Sequence, residues 1–167
     1  MKSKTKRLAL LGILTALSMV LSYIELLLPP IWSAVPGIKM GLANIISVIL
    51  LYGFSFKDAM AVSVIRVSLV SLLFGNAMVF IYSIAGAILS LCVMAVLKRI
   101  DILSAVGVSI AGAVSHNLGQ IIVAIIILQT REIGYYMIIL SFTGTVAGII
   151  VGLISSVALR YFKKLRL

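Results

Sequence analysis

Carboxylates are what this chain most conspicuously lacks: in 167 residues there are four, Glu25, Asp58, Asp101 and Glu132, set far apart. No aspartate pair is available to hold magnesium on a diphosphate, which argues against that class of phosphoryl or prenyl transfer. Histidine occurs once, His116, and cysteine once, Cys92. A single cysteine forms no intramolecular disulfide and reads as a buried, inert thiol in an apolar run. One histidine with no second histidine, cysteine or carboxylate at ligand spacing makes no metal site. GxSxG, CxxC, HExxH and a phosphate-cradling glycine loop followed by lysine are all missing, so hydrolase, thiol-redox, zinc-protease and ATPase chemistry have no sequence basis. The expectation is a protein without catalytic residues, metal or cofactor.

Polar residues of every kind are few. Hydrophobic residues make up 63% of the chain and charged ones 11%, with a mean hydropathy of +1.29. A soluble domain of this size cannot hide that much apolar surface, whereas helical crossings of about 20 residues each can. A transmembrane β-barrel would need alternating apolar and polar residues, and runs such as Ile121 to Leu128 do not alternate. The chain therefore reads as all-α, a polytopic membrane protein with one integral domain over residues 1–167.

The formal charge of +10 does not form a nucleic-acid stripe. Eight of the 14 cations lie in the two termini, which is the bias that orients membrane helices. Six transmembrane helices are predicted, over 8–28, 38–54, 58–74, 77–97, 104–128 and 136–161. With both ends cytoplasmic, eleven cations fall inside and only Lys39 and Arg131 outside, Arg66 lying within a segment. Trp32, Tyr135 and Tyr136 then meet the outer interface and Tyr161 the inner one. The basic N-terminus resembles a signal-peptide start, but the first apolar run is longer than a typical h-region and has no clear small-residue cleavage site, so it reads as a retained helix. Short uncharged breaks such as Gly75-Asn76 separate the segments.

The most informative break is Pro36-Gly37-Ile38-Lys39-Met40-Gly41-Leu42-Ala43-Asn44. Proline and glycine stop the preceding helix, and Lys39 and Asn44 follow at or below a membrane surface, as a candidate lid. Arg66, mid-segment, carries a burial cost of about 2.5 to 3.5 kcal/mol on insertion scales and should face the bundle interior. It would hold an anionic ligand or pair with a carboxylate, Glu25 being the nearest candidate; a purely structural or surface-reaching role is the alternative. Ser109, Gly112, His116 and Gln120 share a helical face with Asn117 beside it, forming either a ligand wall or interhelical hydrogen bonds. Small residues form further stripes: Ser83, Gly86, Ala87 and Ser90 on segment four and Ser141, Gly144, Thr145, Gly148 and Gly152 on segment six predict close packing, and Ala9, Gly12 and Ala16 on segment one could receive another membrane subunit.

The opening break, the run from Arg66 through Leu72-Leu73-Phe74-Gly75-Asn76, and Tyr82-Ser83-Ile84-Ala85-Gly86 together resemble the bacterial membrane family labelled heptaprenyl diphosphate synthase component I, also called the Gx transporter family. The resemblance covers nearly the whole chain. Prenyl diphosphate synthases share two aspartate-rich motifs that this chain lacks, so a non-catalytic role is implied. Six helices, cytoplasmic termini and a small-residue first helix are also similar to the substrate-binding S-components of energy-coupling-factor (ECF) importers. That architectural resemblance implies an S-component-like bundle in a bacterial cell membrane, with a ligand cavity in its outer half and docking on a transmembrane coupling subunit with ATPases in trans. The predicted substrate-binding residues are Lys39, Asn44, Arg66, Asn76, His116, Asn117 and Gln120, for a small vitamin-like or quinone or isoprenoid-precursor ligand, with Ala9, Gly12 and Ala16 at the partner face. A non-catalytic subunit of polyprenyl diphosphate or menaquinone biosynthesis and an ion-driven secondary transporter are the alternatives.

Overall fold

A computed structural model describes residues 4–27 and 41–164. They form α1 (Lys4–Leu27), α2 (Asn44–Gly53), α3 (Phe56–Phe74), α4 (Ala77–Ile100), α5 (Ala105–Leu128), a short 3-10 turn (Arg131–Tyr135) and α6 (Tyr136–Lys164), with no strand among the described residues. The predicted all-helical membrane bundle is thus the architecture found. α1, α4, α5 and the stretch from Arg131 to Phe162 are long and apolar enough to cross a bilayer. α3 has 19 residues but carries Lys57, Asp58 and Arg66.

The second predicted segment, 38–54, is reduced in the described residues to ten helical ones, Asn44–Gly53. Gly41 has φ +81°, a conformation that favours glycine, and with Leu42 and Ala43 it makes a turn. Ten residues at ~1.5 Å each extend ~15 Å, about half the ~30 Å hydrocarbon layer. Non-helical backbone at that depth is tolerated where protein surrounds it or a cavity hydrates it. Every residue from Asn44 to Leu51 is buried, as a helix apolar on all sides should be.

Local signals set the helix ends. Ser55, Asn76 and Ser104 are N-caps whose side chains accept hydrogen bonds from the backbone N–H groups of Asp58, Val79 and Gly107. α4 and α5 end in left-handed residues, Asp101 and Gln129. The break between α2 and α3 spans residues 54–55 and that between α3 and α4 spans 75–76, which forces neighbouring helices to reverse.

Consequently the start of α1, the end of α2 and the start of α3 meet at one end of the bundle. Arg7 there pairs with Asp58, which also accepts a hydrogen bond from Ser55. Lys98 donates to the Leu51 carbonyl in the last turn of α2 and lies 5.0 Å from the centre of the Tyr52 ring. A cation at the negative end of a short helix is favourable, so Lys98 caps α2 from α4. At the opposite end the Tyr23 and Phe74 rings meet at a tilt of 45°, their centres 4.8 Å apart.

The small-residue stripes account for the closest helix contacts. Ser90 donates to the Gly112 carbonyl at 2.7 Å, joining α4 to α5. A Cβ added at Gly148 would lie 2.6 Å from the Ile110 Cα, and one at Gly152 2.7 Å from the Val106 Cα, so α6 packs on α5 backbone to backbone. Ala9, Gly12 and Ala16 are exposed, and nothing lies within 4 Å of a Cβ added at Gly12. Gly148→Leu should therefore destabilise the bundle by roughly 1 to 3 kcal/mol or more through overpacking, while Gly12→Leu leaves it unchanged. Denaturant titration of the two variants in mixed micelles measures this, and equal midpoints would contradict the packing described.

Candidate functional site

Five helices converge on one polar cavity. Its lining comprises Ser22 and Glu25 from α1, Gly41 and Asn44 at the start of α2, Arg66, Val67, Val70 and Ser71 from α3, Ser83 from α4 and His116 from α5. It lies away from the end marked by Arg7, Asp58 and Lys98. α1 reaches it with a buried stripe, Leu14, Ser18, Ser22 and Glu25, whose spacings of four, four and three keep one helical face inward.

Arg66 dominates the electrostatics. It is 9% exposed and donates from Nη1 to the Ser22 hydroxyl at 3.1 Å. A guanidinium has five N–H donors, and this neutral hydrogen bond is the one it makes among the described residues. Glu25, one turn beyond Ser22, acts on Arg66 through its charge. Its Oε1 also accepts a short hydrogen bond from the Gly41 N–H. The Glu25 carboxylate thus connects α1 to the turn that begins α2, at the positive end of that helix, where negative charge is favoured.

The structure separates the predicted ligand residues into groups. Asn44, Arg66 and His116 are brought together in the cavity lining. Asn76 is exposed and caps α4 by accepting from the Val79 N–H at 2.9 Å, so it serves helix initiation. Asn117 points to α6, where its amide donates to the Leu140 carbonyl at 2.8 Å. Gln120 is buried against α4 and is not part of the lining. Lys39 lies outside the described residues, as do residues 36–38 of the candidate lid; Gly41 and Asn44, at its far end, do line the cavity.

Ser22, Ser71 and Ser83 line the cavity but are not among the residues predicted to bind ligand. The signal for Ser22 was present, because Ser18, Ser22 and Glu25 recur at helical spacing on an otherwise apolar segment. Single hydroxyls such as Ser71 and Ser83 carry no comparable pattern, since serine also serves close helix packing.

Among the described residues no three histidine, cysteine, aspartate or glutamate side chains are grouped to hold a metal ion, and Cys92, expected to be buried, is exposed on α4. The cavity instead gathers one fixed cation, one carboxylate at a helix start, an imidazole, a carboxamide and hydroxyls. This defines a class, an all-helical membrane bundle with a cation-bearing polar cavity enclosed by its helices. The chain belongs to the family described as heptaprenyl diphosphate synthase component I, whose model matches residues 14–158. Comparison with curated proteins and with solved structures finds no match to either.

The division between cavity and packing residues can be checked directly. Asn117→Leu should cost roughly 0.6 to 2 kcal/mol of stability by removing the α5 to α6 hydrogen bond. The same variant should leave cavity ligand binding unchanged. Unfolding midpoints and ligand titrations read the two effects separately, and a stable variant that loses binding would return Asn117 to the site.

Proposed function

We propose that the protein is a non-catalytic, membrane-embedded substrate-binding subunit, similar in role to an S-component of an ECF importer, and that its cavity holds the anionic group of a small vitamin-like or quinone or isoprenoid-precursor molecule. The observation that carries this reading is Arg66: a cation buried in mid-helix, with one neutral hydrogen bond among the described residues and a place in the wall of a polar cavity. Such a group is too costly to retain as filler in an apolar bundle, and a charge-assisted bond to a carboxylate or phosphate would use its remaining donors. The start of α2 faces the same cavity and adds the positive end of a helix dipole.

The orientation follows from the cation bias, with both termini in the cytoplasm of a bacterial cell and the cavity in the outer half of the membrane. Energy coupling then comes from a transmembrane coupling subunit and ATPases in trans. The exposed face of Ala9, Gly12 and Ala16 supports docking, because small residues let a partner helix approach closely. A second reading is favoured by the family description itself, whose word "component" implies a partner. In it the protein is the membrane subunit of a polyprenyl diphosphate synthase whose catalytic chain is separate.

Titration of the purified protein with vitamins, quinone precursors and isoprenoid diphosphates should yield a ligand that raises its melting temperature. Arg66→Gln should weaken that ligand by about tenfold or more, or ~1.4 kcal/mol. A correctly folded protein that no member of the panel stabilises would sink the binding-subunit reading. Capture of native partners from membranes separates the two assemblies: a coupling subunit with ATPases, lost in Gly12→Leu, supports the importer, and a soluble prenyltransferase supports the synthase subunit.

A further inference from the structure

Gln120 is 2% exposed, and among the described residues neither its Nε2 nor its Oε1 has a hydrogen-bond partner. A carboxamide can make four hydrogen bonds, and native bundles seldom bury one with none. Nearby polar groups are provided for: Asn117 reaches Leu140, Ser90 reaches Gly112 and Ser115 reaches Ala111. The Ser109 hydroxyl, three turns away on α5, also lacks a partner among the described residues, but Gln120 is the side chain there with both a donor and an acceptor unmet.

Its position links it to the cavity. Gln120 stands one helical turn from His116, which lines the cavity, on the same face of α5. On the facing helix, a Cβ at Gly86 would lie 3.0 Å from His116 Cε1 and 3.1 Å from Gln120 Cγ. Gly86 thus makes room for both side chains, and the cavity-lining Ser83 is one turn from it on α4. Gln120 is bracketed by lining residues on its own helix and on the opposite one.

We propose that Gln120 forms a second, uncharged subsite of the Arg66 cavity, taking a ligand edge that presents a hydrogen-bond donor beside an acceptor, as a cyclic amide or imide does. This rests on the anion-binding reading above and narrows it: the ligand is an anion that also carries such an edge. An amide is matched by a neighbouring donor and acceptor, and a purely hydrocarbon-tailed anion would leave it unmet. The subsite therefore disfavours a polyprenyl chain at this wall and favours a polar heterocycle.

The test uses the full chain in lipid nanodiscs, with the native cysteine removed as Cys92→Ser. Single cysteines are placed by Gln120→Cys, by Ser71→Cys in the cavity wall and by Val108→Cys in the core, and each is exposed to a small water-soluble thiosulfonate. Gln120→Cys should react at a rate resembling Ser71→Cys, and a rate as low as that of Val108→Cys overturns the subsite. Two aromatic carboxylates then probe the ligand class with native cysteine retained: orotate, which has an imide edge, and benzoate, which has none. Orotate should bind about tenfold more tightly, and Gln120→Leu should abolish the difference. Equal binding of both probes to the native protein, or binding of neither, overturns the proposed class. An unchanged affinity in Arg66→Gln, with Gln120→Cys reactive and orotate still preferred, would overturn the anion site while keeping the amide subsite.

Discussion

A guanidinium enclosed by apolar helices is the constraint on which the rest of this structure turns. Arg66 cannot face lipid without a large solvation cost, so the helices beside it must supply polar groups. They do so from α1, Ser22 by a hydrogen bond and Glu25 by its charge, and Glu25 is held in turn by the Gly41 N–H just before α2. Each contribution requires an otherwise unfavourable local choice. Glutamate sits in an apolar segment, and α2 begins well below the end of its neighbours.

The short α2 makes those choices compatible. By starting at Asn44 it brings the turn before it, whose Gly41 N–H donates to Glu25, to the depth of Arg66. Its other end is fixed by Lys98, and its flanks by the Ser47 to Ser63 hydroxyl contact and by Ser155 bonded to the Ile45 carbonyl. The polar groups at α2 are thus satisfied from α3, α4 and α6. The element holding the cavity floor is also the most thoroughly packed in the bundle, which suits a binding site that must keep its geometry without water to support it.

α1 has a different character. One face carries Ser22 and Glu25 into the cavity, and another leaves Ala9, Gly12 and Ala16 open. A partner lying on the open face would press on the helix that also carries two cavity residues. In an importer-like role this places partner and ligand on opposite sides of one rigid element. The close glycine contacts are concentrated where α5 meets α4 and α6, so those helices form the tighter frame against which α1 stands.

Much of this was legible before any coordinates. Apolar run lengths called for helices, the cation bias for alternating crossings, and Arg66 for an interior polar site, because hydrocarbon penalises unpaired backbone and charge wherever they occur. The glycines of α6 could be read as packing residues from spacing alone. What the sequence could not decide was which polar residues share one space. Asn76, Asn117 and Gln120 carry the same carboxamide group, yet one caps a helix, one bonds across to α6 and one is enclosed beside Gly86. Nor could a continuous apolar run reveal that Gly41 to Ala43 form a turn and that α2 stops at half depth. Chemical type and periodicity are local properties of the chain and set what each segment must avoid. The partners that satisfy Arg66 come from segments tens of residues away, and only the tertiary packing of the helices brings them to it.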